Sequence, residues 1–119
     1  YLLYVIARIN SIFKKANRQE QSIHTDTSFS IETEYEQTLA RKFIQFPIAL
    51  EQALSDLRPH FLCTYLFELA GTFNSFYNHE KVIHEDMEIQ TRRIILCHRT
   101  QLILELGLTI LGIDTVEHM

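Results

Sequence analysis

Pro59-His60-Phe61-Leu62-Cys63-Thr64-Tyr65-Leu66-Phe67-Glu68-Leu69-Ala70-Gly71-Thr72-Phe73-Asn74-Ser75-Phe76-Tyr77-Asn78 decides the fold class. Phe61, Leu62, Tyr65, Leu66, Leu69, Phe73 and Phe76 recur at helical spacing, so they share one face. Pro59 stands where a helix tolerates proline, in its first turn. The pattern predicts one long helix over about 59–78, its Phe-rich face turned to a core rather than offered as a stacking platform.

Working outward, the same periodicity repeats on both sides. Leu2, Ile6, Ile9 and Phe13 predict a first helix over 1–16. Residues 17–30 have no period and many turn formers, so they read as a loop and the mobile segment of the chain. Ser30 is the candidate cap of a second helix running to about Gln45. Glu32, Glu34 and Glu36 sit favourably against the positive end of its dipole, with Tyr35, Leu39, Phe43 and Ile31 inward. Pro47 opens a short third helix to about Leu57, with Ile48, Leu50, Ala53, Leu54 and Leu57 as its apolar set. After a polar connection over 79–86, a fifth helix runs from about 87 to 111. Ile94, Ile95, Leu102, Leu104, Leu106, Leu108 and Ile110 are its apolar residues, and Gly112 suits the left-handed residue that closes it. No strand pattern or repeat occurs, so the expected fold is all-α, an antiparallel bundle of about five helices in one domain, 1–119.

Composition narrows the function. Apolar residues make up 46% of the chain and charged residues 22%, which is a globular balance rather than a disordered one. The net charge of −4 disfavours a protein that coats duplex nucleic acid non-specifically. Two cysteines make no disulfide framework, so a reducing compartment, the cytoplasm, is expected. No signal peptide is recognisable, and the longest apolar stretches fall far short of the ~20 residues a membrane span needs, so no membrane partner is expected. The chain starts with Tyr, inside a helix-like pattern, and reads as a fragment of a longer polypeptide.

Catalytic patterns fail on spacing. His79 and His84 are five apart, whereas the zinc protease motif sets its two His four apart on one helix face. His60, Cys63, Cys97 and His98 are of zinc-ligand type, but adjacent helical residues such as Cys97 and His98 diverge by ~100°. The cysteines therefore read as packing residues. Phosphate-cradling glycine loops and a nucleophile elbow are absent, and the carboxylates read as helix-surface groups. No catalytic, metal or cofactor site is expected in this domain.

The first helix is the exception. Residues 1–18 hold four basic residues, Arg8, Lys14, Lys15 and Arg18, and no acid, whereas the rest holds seven basic and 15 acidic. Tyr1, Tyr4, Arg8, Ser11 and Lys15 follow spacings of three and four and form a stripe roughly opposite the apolar face. Exposed rings beside cations are what binders of single-stranded nucleic acid use: rings stack on unpaired bases and cations meet phosphates. A half-buried bundle face with solvated cations is the plainer reading of the same stripe.

Here the residues resemble a known family. Tyr1-Leu2-Leu3-Tyr4-Val5-Ile6-Ala7-Arg8-Ile9-Asn10-Ser11-Ile12-Phe13-Lys14-Lys15-Ala16 resembles the start of the C-terminal anticodon-binding (DALR) domain of arginyl-tRNA synthetases. The resemblance continues through Leu57-Arg58-Pro59 to Leu69-Ala70 and Phe73-Asn74-Ser75-Phe76-Tyr77, and ends with Leu111-Gly112-Ile113 and Met119. It departs at Val5-Ile6, where the family has Ala then an aromatic or His, at Asp56-Leu57-Arg58, where Asp-Ala-Leu-Arg is not intact, and at Val116, where the family's tail often carries Pro. The resemblance implies binding of the anticodon loop of arginine tRNA. Carried over by position, an aromatic of the first helix, an aromatic near the end of the fourth and the terminal methionine become Tyr4 (with Tyr1), Tyr77 and Met119. The stripe adds Arg8, Ser11 and Lys15. The implied partners are the tRNA and the catalytic domain of a parent synthetase, which would bind the ATP. The ATP-site signatures of that domain, of the His-Ile-Gly-His and Lys-Met-Ser-Lys kinds, are absent, so the chain alone should be inactive as a ligase and is expected to be monomeric. The competing readings are a helical protein-interaction module without RNA contact, and the equivalent domain of another class I synthetase such as the cysteine enzyme. Salt-dependent binding of the matching tRNA separates the first from the anticodon binder.

Overall fold

The computed structural model describes residues 1–16, 31–55 and 58–112. The expected loop over 17–30, Leu57 and the tail over 113–119 with Met119 lie outside the described residues. Five helices appear: α1 (Leu2–Lys15), α2 (Glu34–Ile44), α3 (Phe46–Ser55), α4 (Pro59–His79) and α5 (Met87–Ile110). No strand occurs among the described residues. The all-α bundle read from periodicity is therefore the fold, with boundaries within a few residues of those expected. No described helix is long and apolar enough to cross a membrane.

Helix starts show how locally the sequence acts. Thr33 caps α2, and the expected cap Ser30 lies outside the described residues: the Thr33 hydroxyl accepts from the Glu36 amide at 3.1 Å while the Glu36 carboxylate accepts from the Thr33 amide at 3.4 Å. This reciprocal pair satisfies two amides that a helix end leaves unpaired. Asp86 caps α5 by accepting from Glu88 and Ile89. Gln45 alone separates α2 from α3, and its backbone stays right-handed. The break traces to Pro47, which has no N–H to continue the ladder. The Lys42 carbonyl accepts from Gln45 in a tighter last turn and from the Tyr65 phenol on α4. Gly112 closes α5 with φ +81°, the left-handed geometry that only glycine adopts without strain.

α4 and α5 form the centre. α4 packs against every other helix, and α5 against α1, α2 and α4. Val5, Ile6, Ile9, Leu39, Leu62, Leu66, Leu69, Phe73, Phe76, Ile94, Leu96 and Leu104 fill one continuous core. The surrounded half of α5 is buried on all sides from Arg92 to His98.

Several expected core faces are corrected. Ile48 and Leu54 are exposed, because α3 packs chiefly on α4 and buries Ala49 and Ala53 instead. Leu102, Leu106 and Ile110 are also exposed, since they point away from the three helices that α5 touches. The carboxylates are not all at helix surfaces: Glu36 is fully buried. Its carboxylate accepts from Arg92 Nε at 3.0 Å and Arg93 Nε at 2.9 Å, and Arg93 reaches on to Glu80 and the Lys81 carbonyl. This network ties α2 to α5 and to the connection after α4. Cys97 is buried, as its packing role predicts, and burial pushes its thiol pKa up, while Cys63 is half-buried.

Candidate nucleic-acid interface

The stripe of α1 meets α4 along one exposed edge. Tyr1 and Tyr4 are 58% and 57% exposed, so both rings are offered to solvent rather than sealed in the bundle. Leu2, Val5, Ile6 and Ile9 on the opposite side of α1 are buried and anchor the helix, which leaves the stripe no choice but to face outward.

Arg8 is the hub. Its guanidinium stacks over the Tyr4 ring at 5.0 Å and over the Tyr77 ring at 4.7 Å. It donates to the Tyr4 hydroxyl at 2.7 Å and to Asn74 Oδ1 at 3.1 Å. Asn74 Nδ2 in turn donates to the Tyr1 hydroxyl at 2.7 Å. The Tyr1 ring lies parallel to Phe67 of α4, with centroids 5.8 Å apart and planes within 2°. Tyr77 stacks inward on the buried Phe73. Four aromatic rings (Tyr1, Tyr4, Phe67 and Tyr77) and a guanidinium are thus fixed in a contiguous layer, in which cation–π attraction contributes about 0.5–2 kcal/mol per contact.

The structure brings Tyr1, Tyr4, Arg8 and Tyr77 together as one cluster. Ser11 and Lys15 are exposed one and two turns further along α1, about 10 Å at most from Arg8 along the helix axis, and make none of the cluster's contacts. Met119 lies outside the described residues. Arg8 differs from the simple picture of a cation waiting for phosphate, since it is half-buried and holds the rings in place.

Two members were missed. Phe67, 49% exposed, is the exception to the reading of the Phe-rich run as core. Asn74 links both helices. The available signal was helical spacing: Phe67 falls outside the inward set, and Asn74 and Tyr77 follow it by seven and ten residues on the same side of α4.

In the cleft between α2 and α4, lined by Thr38, Lys42, Glu68, Gly71 and Thr72, Lys42 is neutralised by Glu68 at 2.7 Å. His79, expected in the polar connection, instead ends α4 and stacks on Tyr35 at 4.2 Å. His60 is exposed at the start of α4 beside Phe61. No group of three His, Cys, Asp or Glu converges among the described residues.

Comparison with known proteins gives the family of the chain. Residues 2–119 match the family model of the DALR anticodon binding domain. The chain is 40% identical over 119 residues to an arginine–tRNA ligase of Marinomonas sp. (strain MWYL1), and 40% identical over 119 residues to that of Methanoregula boonei. It is 42% identical over 120 residues to the enzyme of Psychromonas ingrahamii. All of the chain is covered in each case, but only 20% of the relative, so the chain spans about a fifth of these ligases. Its fold superposes on the crystal structure of arginyl-tRNA synthetase from Plasmodium falciparum with a TM-score of 0.84 and 32% identity, covering 98% of this chain and 20% of that one. This chain belongs to the DALR anticodon-binding domain family found in arginyl-tRNA synthetases.

Proposed function

We propose that the chain binds the anticodon loop of arginine tRNA, as the C-terminal module of an arginyl-tRNA synthetase. The observation that carries the reading is the Tyr1–Tyr4–Arg8–Asn74–Tyr77 layer, exposed aromatic and cationic, on an otherwise acidic domain. Bases of an anticodon loop are unpaired and can splay out to stack on side chains. Tyr4 and Tyr1 offer ring faces and edges for that stacking, and Tyr77 backs the guanidinium from α4. Lys15 and Ser11 extend the surface along α1 for the sugar–phosphate chain. The family resemblance adds Met119, which would supply a polarizable apolar contact.

Binding the loop here orients the acceptor end toward a catalytic domain elsewhere in the synthetase, and productive orientation is worth several kcal/mol of barrier. ATP and arginine belong to that domain, and this one needs no cofactor. Exposed Ile44, Ile48 and Leu54 on α2 and α3 are suited to cover by the rest of such an enzyme, whose relatives are five times longer than this chain. On this reading the module works in the cytoplasm, as one copy per tRNA.

Filter binding of arginine tRNA against an anticodon-swapped control tests the proposal. The matching tRNA should bind more tightly, with affinity falling as salt rises. Tyr4→Ala should lower affinity at least about fivefold, since a stacked base contributes ~1–3 kcal/mol, while the helical circular dichroism stays unchanged. Deleting Met119 should act in the same direction. Equal binding of both tRNAs would refute the reading.

A further inference from the structure

The hydrogen bonds of the cluster have a fixed direction. A guanidinium can only donate. Because Arg8 Nη1 lies 3.1 Å from the Asn74 side chain, the atom facing it must be the amide oxygen. The amide nitrogen therefore faces Tyr1, 2.7 Å from its hydroxyl, and it too can only donate. The Tyr1 oxygen must accept, and its proton must point elsewhere. The same logic holds for Tyr4, whose hydroxyl accepts from Arg8 Nη2 at 2.7 Å. No described residue accepts from either phenol. Two outward O–H groups and the remaining N–H groups of Arg8 are left on the surface, with no acceptor among them.

We infer that the Tyr1–Tyr4–Arg8 edge of this layer is a donor-only recognition surface: Asn74 sets its polarity, and the RNA group that seats against Tyr1 and Tyr4 is an acceptor oxygen, from a phosphate or a base carbonyl. An exocyclic amine would meet oxygens whose in-plane lone pair is already engaged and whose other pair is delocalised into the ring, a poor acceptor. Asn74 is a positioning residue here and touches no RNA. The inference deepens the anticodon-loop reading and rests on it.

The test is a double-mutant cycle on the full chain, read by affinity for a stem–loop RNA carrying the arginine anticodon loop. Tyr1→Phe keeps the ring but removes its donor, and should weaken binding about three- to tenfold, the range of one hydrogen bond. Asn74→Asp keeps the shape but turns the partner of Tyr1 into an acceptor, so the phenol donates inward. Its added charge weakens binding in both arms and cancels in the cycle. In the Asn74→Asp background, Tyr1→Phe should then cost nothing further. Circular dichroism and thermal unfolding of each variant report folding. The source of the oxygen is read with stem–loops bearing single methylphosphonate linkages or thiocarbonyl bases: the Tyr1→Phe penalty disappears with the first for a phosphate and with the second for a base carbonyl. A penalty that survives both probes, or that is equal in the two backgrounds, overturns the donor-only assignment and leaves anticodon-loop binding standing. If the unaltered chain does not bind the stem–loop, both fail.

Discussion

Replacing Glu36 by Gln probes the buried charge cluster that fastens three parts of the bundle. The Glu36 carboxylate is fully buried and accepts from Arg92 at 3.0 and 3.2 Å, from Arg93 at 2.9 Å, and from the amides of Glu32 at 3.1 Å and Thr33 at 3.4 Å. Arg92 and Arg93 are themselves 7% and 6% exposed. Gln has almost the same shape, yet it removes the charge and turns an N–H₂ group toward an arginine N–H. Breaking a buried ion pair from one side costs about 3–5 kcal/mol because the partner charge is left uncompensated. The lower end applies here, since Arg93 keeps Glu80 at 3.1 Å and Arg92 keeps Glu32 at 3.8 Å. At about 4 °C per kcal/mol for a domain of this size, Glu36→Gln should lower Tm by ~12 °C. Glu34→Gln, exposed in the same first turn, should shift it by no more than ~2 °C. Thermal unfolding followed by far-UV circular dichroism measures both.

Acid should act on the same group. Burial alone would raise the Glu36 pKa, but the hydrogen bonds from Arg93, Glu32, Arg92 and Thr33 outweigh it and hold the carboxyl below its ordinary value of 4.5. A depressed folded pKa stabilises the fold above the unfolded value, and the gain is lost as pH falls from there toward the folded one. Unaltered protein should therefore lose Tm more steeply than Glu36→Gln below pH 4.5, with the two curves converging. A Tm loss below ~4 °C for Glu36→Gln at neutral pH, or parallel acid curves, would show that the cluster contributes little beyond geometry.

Three further outcomes are expected. Gly107→Ala would place a Cβ 2.7 Å from both methyl carbons of the fully buried Leu66, and should cost about 1–2 kcal/mol by urea unfolding despite alanine's better helix propensity. A thiol reagent should label Cys63 in the native protein and Cys97 only after unfolding, because burial both covers the Cys97 sulfur and raises its pKa; mass spectrometry of labelled peptides reads the difference. Arg8→Lys keeps the charge but loses the planar fork that spans Tyr4 and Asn74, so stem–loop affinity should fall a few-fold at constant ionic strength.

The sequence by itself determined the local structure and the family. Periodicity marked five helices, Pro47 and Pro59 marked two of their starts, and Gly112 marked the last stop, because each acts through its own backbone or the turn beside it. The Tyr1–Tyr4–Arg8 stripe was legible for the same reason: residues three and four apart share a helix face whatever the helix packs against. What only the tertiary structure decided is which faces meet. Arg92 and Arg93 are buried and Leu102 and Leu106 exposed on one helix, since the first pair enters the contact with α2 and the connection after α4 and the second leaves it. Glu36 and Arg92 are 56 residues apart, and Arg8 and Asn74 are 66 apart. No spacing rule reaches that far, because such pairs form only after the hydrophobic faces have chosen their neighbours.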